Sequence, residues 1–150
     1  MDDDAAAGRA IIDANLYMVL GTADLRGSPW VSPVYFAADG YRDLLWVSKP
    51  GARHSMNIAA RADVSIVVFD SSAPIGEGQG VYMSAVAEEL GGDEATRGIE
   101  TFSRRSLAHG GVAWSIDDVR PPARHRLYRA TVTEHFVLDA HDERVPVDLT

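Results

Sequence analysis

The chain has 150 residues, of which 46% are hydrophobic and 24% are charged, and its formal net charge is −8. This balance is typical of a soluble globular protein, and the negative charge argues against binding to nucleic acid or to an anionic membrane surface. The sequence contains no cysteine, which excludes disulfides, thiolate metal sites and a cysteine nucleophile. We therefore expect a single domain over residues 1–150, located in the cytoplasm, in which any bound anion needs a local positive pocket.

Hydrophobic periodicity and turn residues predict a chain of three helices and six strands. The predicted helices cover residues 4–14, 53–61 and 93–108. The predicted strands cover residues 16–23, 30–38, 44–48, 64–69, 81–90 and 125–138. Short turns such as Asp39-Gly40 imply antiparallel pairing between neighbouring strands. The pattern predicts a mainly β fold with flanking helices, a small six-stranded antiparallel barrel to which residues 145–149 can add an edge strand.

Two local features of this pattern carry further expectations. Residues 64–69 read "VSIVVF" and form an apolar run, so we expect that strand to be buried on both faces or nearly so. Asp93 follows a glycine pair and precedes a helical pattern, so we expect it to be the N-cap of the third helix.

Four polar side chains surround one tight turn between the third strand and the second helix, in the stretch "VSKPGARH". Ser48 and Lys49 end the strand, Arg53 and His54 begin the helix, and a Pro-Gly pair reverses the chain between them. The first turn of a helix adds free backbone N–H groups and the positive end of the helix dipole. The turn is therefore a candidate phosphate site; the alternative is a turn that is simply solvated.

The second strand carries a proline in the middle of an aromatic stretch, "SPWVSPVYF". Because proline cannot donate a hydrogen bond to a sheet ladder, Pro33 indicates an edge strand or a bulge. An unpaired strand edge can hydrogen-bond a planar heterocycle, although it can also serve only to prevent aggregation.

Together these stretches resemble the FMN-binding split-barrel superfamily of pyridoxamine 5′-phosphate oxidase-like proteins, over most of the chain. The matching positions, with Pro29 displaced by one residue, are Gly27, Pro29, Pro33, Val34, Phe36, Trp46, Val47, Ser48, Arg53, His54, Asn57, Ile58, Val64, Ser65 and Ile66. The later segments "GVYMSAVAEEL" and "PPARHRLYRATVTEHFVLD" also resemble this family.

The resemblance implies a split β-barrel homodimer with two flavin sites at its interface and a small-molecule substrate. The flavin phosphate would lie by Ser48, Lys49, Arg53 and His54. The isoalloxazine ring would lie along Pro33, Val34 and Tyr35 and along Trp46 and Val47. Gln79 would reach the flavin, commonly across the dimer, and Trp114 would lie in a loop that often closes over the ring from the partner subunit.

The sequence departs from the family where His54 replaces a usual lysine, which lowers the positive charge available to a phosphate. The chain also ends without the basic segment that helps hold pyridoxal phosphate in the biosynthetic oxidases, so we do not expect vitamin B6 oxidation. The resemblance favours an FMN-dependent oxidoreductase. It leaves open a deazaflavin-dependent reductase and a non-catalytic protein that binds flavin or haem.

The remaining polar motifs assign no other site. The five histidines form no spacing typical of metal ligands, so no metal site is expected. The glycine-rich "GEGQG" lacks the lysine and the strand–loop–helix context of a phosphate-binding P-loop. No side chain stands out as a catalytic acid or base, and Tyr35 is the one weak candidate.

Overall fold

The computed structural model describes residues 2–150 and shows a single antiparallel sheet that curls on itself, with three α-helices around it. The helices are α1 (Asp2–Ala14), α2 (Arg53–Ala60) and α3 (Gly92–Ala108), and a 3₁₀ helix covers Ile116–Val119. The strands are β1 (Tyr17–Ala23), β2 (Pro29–Tyr35), β3 (Ala37–Asp39), β4 (Asp43–Ser48), β5 (Asp63–Phe69), β6 (Gly80–Glu89), β7 (Arg126–Leu138) and β8 (Arg144–Val147). This is the mainly β split-barrel fold with flanking helices that the sequence predicts.

The sheet has eight strands rather than the six predicted. Its order is β2-β1-β5-β6-β7-β4-β3, and β8 pairs with β7. The predicted strand over residues 30–38 divides at Phe36, which is buried in the core and donates its backbone N–H to the carbonyl of Leu16. The chain there passes from one end of the strand order to the other, because β2 pairs with β1 whereas β3 pairs with β4. Consecutive strands at opposite ends require the sheet to curl into a barrel.

The main core fills the inside of this barrel and is covered by α1 and α2. Ile12 of α1 and Ile58 of α2 both belong to it, together with Met18, Leu20 and Trp46 of the strands. A second core lies on the outside of β3, β4 and β7, where α3 packs. Its buried members are Ala37, Leu45, Leu90, Ala95, Ile99, Phe102, Val119 and Leu127.

The outer face of β1, β2, β5 and β6 differs from the face under α3, because the groove on it is lined by strand residues alone. This groove has a volume of about 280 Å³, and Val19, Val31, Val67, Tyr82 and Phe136 contribute apolar side chains to it. β5 is accordingly buried on one face, with exposed and buried residues alternating along it. The expectation that residues 64–69 are buried on both faces is therefore wrong.

Several local predictions are confirmed, and one is wrong. Pro33 lies in β2 opposite Val19, at the edge of the sheet order, where its missing N–H is tolerated. Gly40 adopts a φ of 61° in the turn between β3 and β4, as the Asp-Gly pair predicts. The N-cap of α3 is Gly91 instead of Asp93, which lies in the first turn of the helix. Among residues 2–150, no helix is long and apolar enough to cross a membrane.

Candidate functional site

The turn between β4 and α2 brings the side chains of Ser48 and His54 together, as the sequence predicts. The turn closes with a hydrogen bond from the Ala52 N–H to the Lys49 carbonyl, at 3.1 Å. The Ser48 Oγ lies 2.8 Å from the His54 Nε2. Lys49 and Arg53 are exposed at the same turn. We call this group of four side chains the polar turn.

The N-terminus of α2 has the features of an anion site. Its N-cap residue, Ala52, makes no side-chain cap hydrogen bond, and the first turn of the helix contains no acidic residue. The first backbone N–H groups of a helix have no partner within the helix, and the dipole places partial positive charge there. An anion at the polar turn would therefore meet donors that no side chain of the helix already caps.

The Arg53 side chain lies over an aromatic ring of the edge strand. Its guanidinium carbon lies 4.3 Å from the centroid of the Trp30 ring, a cation–π geometry. Trp30 comes from β2, so this contact joins the edge strand to the start of α2. Sequence reasoning did not assign Trp30 to the site, although its place in the aromatic stretch before Pro33 was a usable signal.

His54 is half-buried, and burial lowers its pKa below the usual value because the imidazolium is less well solvated there. The free protein therefore holds a neutral imidazole against the Ser48 hydroxyl at pH 7. The positive charge of the polar turn then comes from Lys49 and Arg53 alone.

Two predicted ring contacts lie in the barrel core rather than at the surface. The side chain of Trp46 is fully buried and stacks on Tyr128, with the ring centroids 5.7 Å apart and the planes at 15°. Val34 is also buried in this core. The Nε1 of Trp46 and the Oγ of Ser55 in α2 are both buried without a hydrogen-bond partner.

The structure places Tyr35, Val47 and Trp114 against the second core, under α3. The Tyr35 ring packs edge-on against Phe102, with the centroids 5.6 Å apart, and the Phe102 ring packs edge-on against Trp114 at 5.8 Å. We call the continuous set of rings from four segments of the chain the aromatic row. Its members are Tyr17, Tyr35, Phe102, Trp114 and His125.

The Tyr35 hydroxyl forms a hydrogen bond with His109 that sequence reasoning missed. The distance from the hydroxyl oxygen to Nδ1 is 2.7 Å. His109 is the C-cap of α3, so the bond fastens the end of that helix to the end of β2. Burial raises the pKa of Tyr35, while the nearby Arg105 guanidinium opposes the shift. No local pattern could have signalled this pair, since 74 positions separate its members.

The loop that carries Trp114 is fixed to α3 of its own chain. The Trp114 N–H donates to the Ser103 Oγ at 2.8 Å, and the Ser106 Oγ donates to the Val112 carbonyl at 2.7 Å. The Trp114 side chain therefore packs on its own chain, against Phe102 and His125.

Gln79 lies far from the polar turn within one chain. It is exposed immediately before β6, in a cleft that it shares with Leu138 at the end of β7. Ser48 pairs with Arg126 at the opposite end of β7. These two predicted site residues thus lie at opposite ends of the longest strand. Within residues 2–150, no cluster of three or more histidines and carboxylates could hold a metal ion.

The sequence profile of the pyridoxamine 5′-phosphate oxidase family matches residues 5–138. The chain belongs to this family. Its split-barrel fold agrees with that assignment. No curated protein sequence matches the chain.

Solved structures share the fold of this family member at low sequence identity. A haem-binding protein from Mycobacterium smegmatis is 19% identical with a TM-score of 0.76, over 96% of this chain and 57% of that one. An F420 reductase is 20% identical with a TM-score of 0.63, over 85% of this chain and 94% of that one.

A third neighbour, from Clostridium acetobutylicum, is a protein related to general stress protein 26 and a member of the pyridoxinephosphate oxidase family. It is 11% identical with a TM-score of 0.69, over 99% of this chain and 96% of that one. At these identities the similarity establishes the fold alone.

Proposed function

We propose that this protein is an FMN-dependent oxidoreductase that acts on a small molecule as a homodimer. The observation that carries the proposal is the polar turn, where a hydroxyl and an imidazole meet beside two cationic residues at an uncapped helix N-terminus. This set of donors suits a phosphate, which needs several hydrogen bonds converging on its oxygens. Membership of the pyridoxamine 5′-phosphate oxidase family supports a phosphorylated flavin as the ligand.

Each residue of the polar turn would make a different type of contact with the phosphate. Arg53 would donate charged hydrogen bonds from a guanidinium that Trp30 keeps in place. The exposed Lys49 would add a second positive charge. Ser48 and the first N–H groups of α2 would donate the shorter, neutral hydrogen bonds.

The flavin ring would lie along the edge strand. Among the described strands β2 pairs with β1 alone. The backbone N–H and C=O groups along its other edge could therefore form hydrogen bonds with a planar heterocycle. FMN, when bound, supplies the hydride-transfer chemistry, and the protein supplies binding, orientation and electrostatics. Tyr35 and Val47 would flank the ring with their side chains. Trp46 and Val34 would contribute backbone atoms, because their side chains lie in the core.

Two observations support the homodimer. The outer face of β1, β2, β5 and β6 exposes an apolar groove and the 66% exposed Val31, a surface suited to a protein partner. Gln79 could reach a polar turn only from a second copy, because it lies at the opposite end of β7 from Ser48.

We expect a dimer in analytical ultracentrifugation and a monomer for Val31→Asp. A monomeric wild-type protein would contradict this part of the proposal.

Two alternatives within the same fold have specific support. An F420 reductase among the structural neighbours favours a deazaflavin as the coenzyme. A haem-binding protein among them favours a protein that holds its ligand without turnover. The same titration separates all three, because FMN, a deazaflavin and haem have distinct visible absorption spectra.

The first experiment is the visible spectrum of the purified protein, followed by titration with FMN, with a deazaflavin and with haem. Tight FMN binding and reduction of the bound flavin by a nicotinamide donor would support the proposal. Each charged hydrogen bond contributes about 1.5 kcal/mol or more, so Lys49→Ala with Arg53→Ala should weaken FMN binding by about 100-fold. Arg61→Ala, at the other end of α2, is the matched control and should bind as the wild type does. Unchanged FMN affinity in the double variant would refute the site assignment.

A further inference from the structure

The Ser48–His54 pair distinguishes this polar turn from one built of permanent cations. We propose that His54 makes the site selective for a terminal phosphomonoester dianion, and that the protein takes up a proton when that dianion binds. This inference rests on the proposed function, since FMN carries such a phosphate.

The hydrogen-bonding state of the pair explains what a proton adds. In the neutral pair one hydrogen lies between the Ser48 Oγ and the His54 Nε2, which are 2.8 Å apart. If Ser48 donates to the imidazole, its hydroxyl hydrogen is committed to that bond and the other hydrogen of the pair is on Nδ1. If a proton is added, the imidazole has a donor on both nitrogens and the Ser48 hydroxyl hydrogen is free to point at the ligand. A bound phosphate therefore gains both a donor and a positive charge from protonation.

The surroundings of His54 keep it neutral until an anion arrives. Burial lowers its pKa below the usual value. Three cations lie on the neighbouring segments: Lys49 in the turn, Arg53 beside it on α2, and Arg126 on β7 opposite Ser48, whose Nη1 donates to the Ala123 and His125 carbonyls. Cations oppose a further positive charge, whereas a phosphate dianion at the polar turn favours it. Binding of the dianion and protonation of His54 are therefore linked.

This linkage selects among phosphate ligands. A phosphomonoester has a second pKa of about 6 and is mostly a dianion at pH 7. A phosphodiester carries only one negative charge, so its binding favours protonation of His54 less strongly. The affinity for FMN should therefore be highest near pH 6, about the second pKa of the phosphate. It should fall towards more acid pH as the phosphate takes up a proton. It should fall by up to about tenfold per pH unit between the pKa of His54 in the free protein and its higher pKa in the complex, and level off above the latter.

The decisive experiment is isothermal titration calorimetry of FMN at pH 7.5 in two phosphate-free buffers with different ionisation enthalpies. We expect the apparent enthalpies to differ by an uptake of up to one proton for FMN and by none for riboflavin, which lacks the phosphate. His54→Lys should bind FMN without proton uptake and without the decline at alkaline pH. His54→Gln should bind more weakly, also without uptake. His141→Gln, which changes an exposed histidine away from the site, should behave as the wild type does.

A second readout separates this inference from the proposed function. The ring resonances of His54 are followed by NMR against pH, with and without inorganic phosphate. If phosphate raises the pKa of His54 but FMN does not bind, the flavin proposal fails and the proton-linked anion site stands. If FMN binds with equal affinity from pH 6.5 to 8.5 and without proton uptake, the inference is overturned and the flavin proposal stands. If neither FMN nor phosphate affects His54, both are wrong.

Discussion

The polar turn and the aromatic row are two parts of the candidate site that are built in opposite ways. The polar turn takes its four side chains from residues 48–54, within a single chain reversal. The aromatic row takes its rings from β1, β2, α3 and the segment that follows α3. The first is local in sequence, and two of its four side chains, Lys49 and Arg53, are exposed. The second depends on the tertiary fold and is partly buried.

The two regions also differ in whether their side chains and backbone groups are available to bind a ligand. Each ring of the aromatic row already contacts another ring of the same chain, and the Tyr35 hydroxyl already has His109 as a partner. At the polar turn, Lys49 is exposed and α2 has no side-chain cap. We infer that the aromatic row mainly stabilises the fold, whereas the polar turn mainly binds the ligand. Substitutions should therefore affect unfolding in one region and affinity in the other.

The largest effect should come from truncating Phe102, the ring at the centre of the aromatic row. Its side chain is 4% exposed and packs against both Tyr35 and Trp114. Phe102→Ala should lower the free energy of unfolding by about 3 kcal/mol or more, because it removes buried surface and leaves a cavity. Denaturant unfolding measures this loss of stability. Phe102→Leu is a less disruptive substitution, to be used if the alanine variant does not fold.

The matched control for Phe102 is Leu107→Ala, an exposed leucine on the same helix, which should cost little. The folded fraction of the Phe102 variants should keep most of its FMN affinity, because the polar turn that would hold the phosphate lies on the other side of the sheet. A folded Phe102→Leu protein that had lost FMN affinity would contradict the division of roles between the two regions.

The next effect should come from removing one hydroxyl at the polar turn. Ser48→Ala takes away both a donor to the phosphate and the partner of the His54 imidazole. We expect FMN affinity to fall about tenfold, which corresponds to about 1.4 kcal/mol. Fluorescence titration measures the affinity, with Ser71→Ala in the exposed loop before β6 as the control. Loss of stability with no loss of affinity would assign Ser48 to the fold instead.

The polar turn could be predicted from the sequence because its geometry follows from one strand end, one Pro-Gly pair and one helix start. The edge position of β2 was predictable for a similar reason, since proline has no N–H to donate. Each of these two predictions depends only on the chemistry of a few adjacent residues. Neither requires knowledge of which distant residues those residues contact in the fold.

The placement of Trp46 could not be predicted, because both faces of β4 are covered. Leu44 and Trp46 face the barrel core, whereas Leu45 and Val47 face the core under α3. All four are apolar, so the alternation that would reveal which face is inside is lost. The division of the strand at Phe36 was hidden in the same way, because β2 and β3 together read as one apolar stretch. The Tyr35–His109 contact depends on where α3 ends in space, which no local pattern fixes.

A smaller effect should come from the hydrogen bond between Tyr35 and His109. Tyr35→Phe and His109→Gln should each lower the free energy of unfolding by about 1 kcal/mol, and the double variant should cost less than their sum. Denaturant unfolding of the three variants closes this double-mutant cycle. Strictly additive costs would show that the bond contributes nothing and that the aromatic row is held by ring packing alone.

The smallest effect should be a pH dependence of stability that comes from His135 and not from the candidate site. His135 is 7% exposed on β7, and its Nε2 lies 2.6 Å from the Tyr41 carbonyl oxygen, to which it can donate. Burial lowers its pKa, although the Tyr41 carbonyl and Asp148 oppose the shift. A histidine with a depressed pKa in the folded state takes up its proton more readily in the unfolded state. Stability is therefore full above the unfolded pKa of about 6.5 and declines as the pH falls below it.

His135→Gln should reduce this acid-side decline, since glutamine can donate to the same carbonyl but does not titrate in this range. Thermal unfolding between pH 5 and 8 measures the difference from the wild type, with His141→Gln as the exposed control. His54 also has a lowered pKa, so it contributes a decline of the same sign in the free protein. The two contributions are separable because saturating FMN should remove that of His54 by protonating it, while leaving that of His135 unchanged. If FMN abolished the whole decline, the pH dependence would belong to the polar turn alone, and His135 would have no part in it.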